Sequence, residues 1–273
     1  MPKPKAMHPI HLDKEKETLL ITLYAKALDT HLKQPILNDI KAKAITNRIE
    51  YNFEKLNHSG SNHLMVIRAK QLDTWLEAFL KRHSEAVVLN LGCGLDTRIS
   101  RINPPSSVSW FDVDFPEVID VRRHFYSDQD NYKMMPSSVT DNDWLAAIPH
   151  DKPTMVIAEG ILEYLTEEDV QTLFHRLTAH FPQGQIAFDV MNSFAITSGK
   201  EDLKKTTGAE HTWAVDTIQR VDQLNPKLTR KTCISVLRSP YTHKLPIKYR
   251  LLYRLFSLVP SFKNMIRVLL YEF

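Results

Sequence analysis

Apolar residues recur with a helical period along the first 84 positions of the chain. The clearest repeat covers 18–32 and predicts an amphipathic helix, whose apolar face comprises Leu19, Leu20, Leu23, Ala27 and Leu28. Later repeats predict helices over 36–45, over 49–56 and, with Ser61 or Asn62 as the N-cap, up to Arg82. Residues 1–84 are therefore expected to form a helical N-terminal extension, or lid.

From Ala86 onwards the apolar residues form short, continuous runs that are rich in β-branched side chains. The run Ala86–Leu91 is typical of a strand that is buried on both faces of a parallel sheet. Further strands are expected over 108–113, 131–135, 154–158 and 185–190, with helices over 116–126 and 167–181. Strands that alternate with helices predict right-handed crossovers and a doubly wound, mostly parallel sheet.

The C-terminal part of the chain has a less regular pattern. It predicts a helix over 216–224, a strand over 232–237 and a helix over 246–259. The last apolar run, 268–273, is expected to pair as an edge strand. Because no linker is evident, we expect one domain over 1–273, with an α/β core over 85–273 that carries a C-terminal helical insertion.

The composition excludes several classes of protein. Of the 273 residues, 43% are hydrophobic and 25% are charged, as in soluble globular proteins. A formal net charge of +3 is too small for a dedicated nucleic-acid-binding protein. Two cysteines, Cys93 and Cys233, do not make a disulfide framework or a multi-cysteine zinc site, and the histidines show no metal-binding spacing, so no metal site is expected.

The apolar runs, the N-terminal residues and the cysteine content together predict the cellular compartment of the protein. No apolar run approaches the roughly 20 residues of a transmembrane helix, and the N-terminal residues do not form a secretory signal. The low cysteine content is consistent with a reducing compartment. We therefore expect a cytoplasmic protein.

The loop after the first strand is the best candidate for a ligand site. In an open α/β sheet, ligands bind at the carboxyl ends of the strands, and Gly92 and Gly94 allow the backbone to approach a ligand closely. Asp114 ends the second strand, where a carboxylate can accept hydrogen bonds from ribose hydroxyls. These features predict a nucleoside cofactor. Thr97 occupies the place of the third small residue in a dinucleotide fingerprint, which disfavours NAD.

Three blocks of sequence resemble one family in their order and spacing. They are Leu91–Arg98, Phe111–Ile119 followed by Arg122, and Ala158–Leu165. The blocks are similar to those of the leucine carboxyl methyltransferase family, and in particular to its bacterial branch of polyketide-type O-methyltransferases. Upstream, Arg68–Asp73 and Pro35–Asp39 look like two further elements of that family, so the resemblance covers about residues 20–195.

The resemblance implies a class I methyltransferase fold, Rossmann-like, with a seven-stranded sheet, helices on both faces and S-adenosylmethionine as cofactor. It implies that Gly92 and Gly94 line the methionine portion of the cofactor, while Asp114 holds the ribose and Phe115 lies beside it. It also implies that Arg68 pairs with the cofactor's carboxylate. Arg98 either shares that role or forms a salt bridge to Asp96. Glu159 and Gly160 are expected beside the reacting centre.

The chain departs from the family pattern at two places. Where relatives carry an acid that contacts the adenine, this chain has Ser138 and Val139, with Asp141 nearby, so the adenine contact is assigned to one of these three. In the third block, Glu163 replaces a small or apolar residue. It either alters substrate preference or is an exposed acid at a helix start. Tyr164, the next residue, either positions the acceptor or packs.

Methyl transfer from a sulfonium is an in-line displacement that depends on positioning. A carboxylate acceptor needs no general base, whereas a hydroxyl acceptor does. Because the sequence offers no convincing base, a carboxylate is favoured over a hydroxyl in a small, apolar, polyketide-like acceptor. An NAD-dependent oxidoreductase and a non-catalytic cofactor-binding module are the alternatives. The basic, amphipathic segment 246–259 covers the active site, packs on the sheet or rests on an anionic membrane.

Overall fold

A seven-stranded sheet forms the centre of the computed structural model, which describes residues 8–10, 12, 14–56 and 62–273. Its strands are β1 (Val87–Leu91), β2 (Ser109–Asp114), β3 (Tyr132–Pro136), β4 (Thr154–Ala158), β5 (Gly184–Met191), β6 (Thr229–Ser235) and β7 (Ile266–Glu272). They lie in the order β3-β2-β1-β4-β5-β7-β6. Strands β1 to β5 are parallel to one another, and β7 is antiparallel to β5 and β6. The predicted α/β class with a doubly wound, mostly parallel sheet is confirmed.

Helices cover both faces of this sheet. They are α1 (Leu19–Asp29), α2 (Ile40–Thr46), α3 (Asn62–Arg82), α4 (Arg98–Ile102), α5 (Pro116–Arg122), α6 (Glu167–His180), α7 (Ser193–Thr207), α8 (Ile218–Asp222), α9 (Ile247–Phe256) and α10 (Pro260–Lys263). Side chains of β1 alternate between the two cores: Val87 and Leu89 pack in the cluster that contains α6, and Val88 packs in the cluster that contains α3. A strand that is buried on both faces needs apolar residues at every position, which is why this run is continuous.

The described part of the N-terminal extension is mainly helical. Helix α1 packs on α2 and α3, and Leu20 and Leu23 on its predicted face are buried. The helix predicted over 49–56 is wrong, because Ile49–Glu50 pairs in parallel with His8–Pro9 and only a 3-10 turn follows. Asn62 begins α3, while Ser61, the other candidate N-cap, lies outside the described residues.

The last strand is interior, so the predicted edge position is wrong. Strand β7 lies between β5 and β6, and Val268, Leu269 and Tyr271 are fully buried. The edge is β6, whose first residues are exposed and polar. Helix α7, which the sequence did not predict, is mostly polar outside its first turn and therefore has little apolar periodicity. Among the described residues, no helix is both long and apolar enough to span a bilayer.

Candidate active site

A cavity of about 590 Å³ opens at the carboxyl ends of β1 to β4. This volume lies within the range of about 300 to 1,000 Å³ that is typical of small-molecule sites. Several residues between Lys14 and Lys26, from the N-terminal extension, form further parts of its wall, as do four residues that follow α7: Gly208, Ala209, Glu210 and Thr212. Every residue that the sequence assigns to the cofactor lines this cavity, as does Tyr164; the assigned residues are Arg68, Gly92, Gly94, Arg98, Asp114, Phe115, Ser138, Val139, Glu159 and Gly160.

The loop between β1 and α4 turns sharply through its two glycines. Gly92 and Gly94 have φ angles of +60° and +49°, which side-chain-bearing residues rarely adopt. A Cβ on Gly92 would lie 2.6 Å from Cδ1 of Ile161. Arg122 fixes this loop from beneath, because its guanidinium donates to the carbonyl oxygens of Gly94 at 3.0 Å and Asp96 at 2.7 Å. The backbone of this loop is therefore fixed in one conformation by side-chain hydrogen bonds.

Asp114 lies at the end of β2 and faces this loop. Its Oδ2 accepts the Gly94 N–H at 2.7 Å, and its Oδ1 accepts the Phe115 N–H at 2.8 Å. Burial raises the pKa of Asp114 to about 6, although the two N–H groups oppose the rise. Each carboxylate oxygen has a further lone pair, so this side chain is arranged to receive two hydroxyl donors from a ligand.

A cluster of buried ion pairs lies behind the cavity and joins six segments of the chain. We call it the charge cluster; its cations are Lys26, Arg68, Arg98 and Arg101, and its anions are Asp39, Asp73, Asp96, Glu159 and Asp189. Such pairs have lost much of their hydration, so removing one partner leaves a buried, uncompensated charge. The cluster ties the N-terminal extension to the ligand loop.

Two arginines that the sequence singles out belong to this cluster. Arg98 forms the alternative salt bridge to Asp96, with 2.9 Å between Nη1 and Oδ2, and it also pairs with Glu159. Arg68 pairs with Asp189 at 2.9 Å and with Glu159 at 3.4 Å. The Arg68 guanidinium, which the resemblance assigns to the cofactor's carboxylate, thus already has two protein carboxylates beside it while it lines the cavity.

Glu159 and Glu163 lie close in sequence but ionise very differently. Although burial alone would raise the pKa of Glu159, Lys26, Arg98 and Arg68 hold it at about 2. Burial and the neighbouring Asp189 raise the pKa of Glu163 to about 8. Glu163 is only 5% exposed, so the interpretation as an exposed acid at a helix start is wrong. Its Oε2 has no hydrogen-bond partner among the described residues.

The candidates for the adenine contact separate in space. Ser138 and Val139 line the cavity. Asp141 is not among the described residues of the cavity wall, and its Oδ2 accepts the Ser138 N–H at 3.2 Å and the Ser137 hydroxyl at 3.3 Å. Asp141 thus shapes the loop after β3 rather than facing the cavity.

Tyr164 lies in the wall beyond β4 and is half-buried. Its ring is tilted against that of His211, with centroids 4.9 Å apart. Burial raises the pKa of Tyr164 above its ordinary value of 10, so the phenol remains protonated at neutral pH. It is therefore available as a hydrogen-bond donor.

Sequence reasoning missed three lysines of this wall, Lys14, Lys16 and Lys26. Lys26 is buried and pairs with Asp96 at 2.8 Å. It lies three positions after Leu23 and seven after Leu19, on the apolar face of α1, and this spacing is a signal for a buried cation. Lys14 also lines the cavity, and its side chain lies beside Gly208. Nothing in the sequence near Lys14 indicates that role, because its neighbours are mixed in charge.

The sequence of this chain is similar to those of known methyltransferases. The family model for leucine carboxyl methyltransferase matches residues 9–178. The tetracenomycin polyketide synthesis O-methyltransferase of Streptomyces glaucescens is 37% identical over 234 residues, which is 85% of this chain and 87% of the relative. An S-adenosyl-L-methionine-dependent methyltransferase of Gibberella zeae is 32% identical over 81% of this chain and 82% of its own.

A solved structure shares the fold. The Thermobifida fusca chain, assigned as a methyltransferase, superposes with a TM-score of 0.59 at 15% identity and covers 90% of this chain and 93% of its own. At that identity the likeness concerns the fold alone. The matches to the family model and to the two relatives confirm the resemblance that the three sequence blocks carry.

Proposed function

Because the chain belongs to the leucine carboxyl methyltransferase family and is an O-methyltransferase that uses S-adenosylmethionine, we propose that it methylates the carboxylate of a small, largely apolar acid of polyketide type. The cofactor supplies an electrophilic methyl group on a sulfonium. One observation carries the choice of a carboxylate: no histidine is found among the described residues of the cavity wall. Histidine is the usual base near neutral pH, and a carboxylate acceptor has no proton to remove.

The residues that line the cavity support an assignment of each part of the cofactor. A Cβ at Gly92 would meet the side chain of Ile161 in the cavity wall, beside which the methionine portion is expected, and a Cβ at Gly160 would lie 2.8 Å from Nη2 of Arg68. We assign the ribose hydroxyls to Asp114, whose two oxygens face the loop, and the adenine to the Ser138–Val139 wall. Arg68, Arg98 and Glu159 are assigned to the charged methionine end, and Phe115 to the nucleoside.

The acceptor is assigned to the end of the cavity near Lys14, Tyr164 and 208–212. Lys14 forms no ion pair with any described residue, in contrast to the buried Lys26. An ammonium that is free of a counter-ion at a cavity wall suits a carboxylate ligand. Tyr164 donates a hydrogen bond to the second carboxylate oxygen in this arrangement. We class it as a positioning residue for the reaction.

Rate acceleration in this arrangement comes mainly from positioning. An acceptor that is held in line with the methyl group turns a bimolecular encounter into an almost unimolecular step. We propose that residues 1–84 act as a lid within a single domain of 1–273, because Leu19 and Thr22 reach the cavity wall. The Lys26–Asp96 pair connects this lid to the loop that holds the cofactor.

We also propose that the enzyme works in the cytoplasm. Cys93 is buried and Cys233 is half-buried, and both are free thiols. Burial raises the pKa values of both thiols, which lowers their reactivity. Free cysteines are most common in reducing compartments. Immunolocalisation or fractionation of the native host cell tests this assignment, and recovery of the enzyme from an extracellular fraction would contradict it.

Calorimetric titration of the wild type with S-adenosylmethionine and S-adenosylhomocysteine, with NADH as a negative control, tests the site. In Asp114→Ala, the loss of the ribose contacts is expected to lower the affinity for S-adenosylmethionine at least tenfold, since each hydrogen bond to a charged group contributes about 1.5 to 3 kcal/mol to binding. Asp151→Ala removes an exposed carboxylate from the loop before β4 and is expected to retain affinity within about threefold. Equal losses in both variants, or binding of NADH alone, would contradict the assignment.

The acceptor class is tested with aromatic polyketide acids and with matched analogues that carry only hydroxyl groups. Methyl esters are expected from the acids alone. Lys14→Met is expected to raise KM for the acids about tenfold with little change in kcat, as the loss of a charge-assisted contact predicts. Lys205→Met, at an exposed position of α7, is the matched control. Methylation of the hydroxyl analogues at comparable rates would refute a carboxylate acceptor.

A further inference from the structure

Charge is unevenly distributed along this chain. Positions 223–271 contain ten lysines and arginines and no aspartate or glutamate, whereas the other 224 residues carry 25 basic and 32 acidic side chains. The small overall charge of +3 therefore conceals a strongly basic C-terminal segment on an acidic remainder. A basic segment of this kind attracts anionic partners over a distance of about one Debye length.

Helix α9, within that segment, carries two different apolar faces. Tyr253 is buried, and Tyr249 and Phe256 pack with it against the core that contains α3. On the opposite side, Ile247 is 64% exposed, and Leu251 and Leu255 are each 61% exposed. These three residues recur every four positions and form one row along the helix. The inner face explains how α9 is held, and the outer row has no described partner within the fold.

The exposed apolar surface of the protein is concentrated at this place. Among the described residues, eight large hydrophobic side chains are exposed, and six of them belong to 247–259: Ile247, Leu251, Leu252, Leu255, Leu258 and Val259. A seventh, Phe194, stacks edge-on against Phe262 of α10, which follows. Large contiguous apolar patches are uncommon on free protein surfaces and mark sites of contact. We call the outer row of α9 together with Leu258 the apolar ridge.

Cations flank the apolar ridge on both sides. At 3.6 residues per turn, Lys248 lies on one side of the row, and Arg250 and Arg254 lie on the other. None of the three forms an ion pair with a described residue. An apolar row with cations at its margins is the arrangement by which helices lie in a lipid interface, where long basic side chains reach the phosphate level.

The topology fixes where this surface lies. Strand β6 ends at Ser235, and β7 begins at Ile266, beside Met191 at the carboxyl end of β5. The segment 236–265 therefore leaves and re-enters the sheet at its carboxyl edge, which is also the edge where the cavity opens. The segment that carries the apolar ridge is therefore anchored at the active-site edge of the sheet.

We propose that the apolar ridge docks the enzyme on an anionic lipid surface. A second copy of this chain is disfavoured as the occupant, since a symmetric contact would place Arg250 and Arg254 against cations of the same ridge. Phospholipid headgroups supply the complementary charge, and acyl chains accept the leucines. Contact with the bilayer places the active-site edge near apolar acids dissolved in the membrane.

Flotation of the full chain with lipid vesicles tests this proposal. Binding is expected for phosphatidylcholine vesicles that contain roughly one third phosphatidylglycerol, but not for phosphatidylcholine alone, and it is expected to fall at high salt. Arg250→Gln/Arg254→Gln is expected to lower the partition coefficient about 25-fold, or about fivefold for each cation. Leu251→Gln/Leu255→Gln is expected to lower it at least tenfold.

Two matched controls separate the ridge from general effects. Lys81→Gln/Arg82→Gln removes two exposed cations at the end of α3, before β1 begins. Ile40→Gln removes a side chain that is 61% exposed elsewhere on the surface. Both controls are expected to bind vesicles like the wild type. Equal loss in the controls, absence of wild-type binding, or a lipid-independent dimer that the leucine substitutions dissociate would overturn the proposal.

Discussion

Replacement of Glu163 by glutamine is expected to change how stability depends on pH. The wild-type side chain is buried, one of its carboxyl oxygens has no described partner, and Asp189 and Glu159 lie close enough to oppose a further negative charge. The carboxyl group is therefore protonated in the folded protein at neutral pH. Glutamine has nearly the same shape and carries no ionisable proton, so Glu163→Gln reproduces the neutral form without its titration.

The sign and size of the effect follow from the two pKa values. Unfolded, Glu163 ionises near its ordinary value of 4.5; folded, it ionises near 8. Between these values the folded state holds one proton more than the unfolded state, so the stability of the wild type falls as pH rises, by about 1.4 kcal/mol per pH unit. From about pH 5 to about pH 7, Glu163→Gln is expected to gain about 3 kcal/mol relative to the wild type.

Urea unfolding at several pH values, followed by far-ultraviolet circular dichroism, measures this difference, provided the m-values agree. Glu168→Gln, which removes an exposed carboxylate from the first turn of α6, is the matched control. Its free energy of unfolding is expected to stay parallel to that of the wild type across the same range. A difference between Glu163→Gln and the wild type that does not vary with pH would show that Glu163 is ionised when folded and would refute the reasoning.

Three further substitutions test two glycines and one buried ion pair. Gly92→Ala is expected to lower both stability and cofactor affinity, because a left-handed residue with a side chain costs about 1 to 2 kcal/mol and its Cβ would meet Ile161 at 2.6 Å. Gly199→Ala, in α7 with open space around it, is expected to raise thermal stability by up to about 1 kcal/mol. Arg122→Met leaves the fully buried Asp112 without its cation and is expected to cost about 3 to 5 kcal/mol in denaturant unfolding.

The sequence is most informative where local pattern and function coincide. The continuous run of β1 predicts a doubly buried strand, and the glycines that follow it predict a close approach of the backbone to a ligand. Asp114 at the end of β2 then falls on the same edge because parallel strands share one direction. For this reason the residues assigned to the cofactor converge on one cavity in the structure, even though they come from distant parts of the chain.

Other features depend on tertiary partners that no local pattern records. The position of β7 between two strands follows from what pairs with it, and its own apolar run fits an edge strand as well. The charge cluster is similar, since a charged residue in a sequence is usually at the surface and only folding brings Lys26 beside Asp96. Glu163 was open to two interpretations because its burial depends on residues that follow α7.

The place of β7 in the sheet also determines when the sheet can be completed during synthesis of the chain. Every other strand precedes it in the chain, yet β6 reaches the sheet only through β7. A nascent chain that lacks Ile266–Glu272 therefore presents the side of β5, including Ile186 and Phe188, as an open edge with unpaired backbone groups. This strand must leave the ribosomal exit tunnel before the sheet closes, and stalled or truncated chains are exposed to aggregation through that edge.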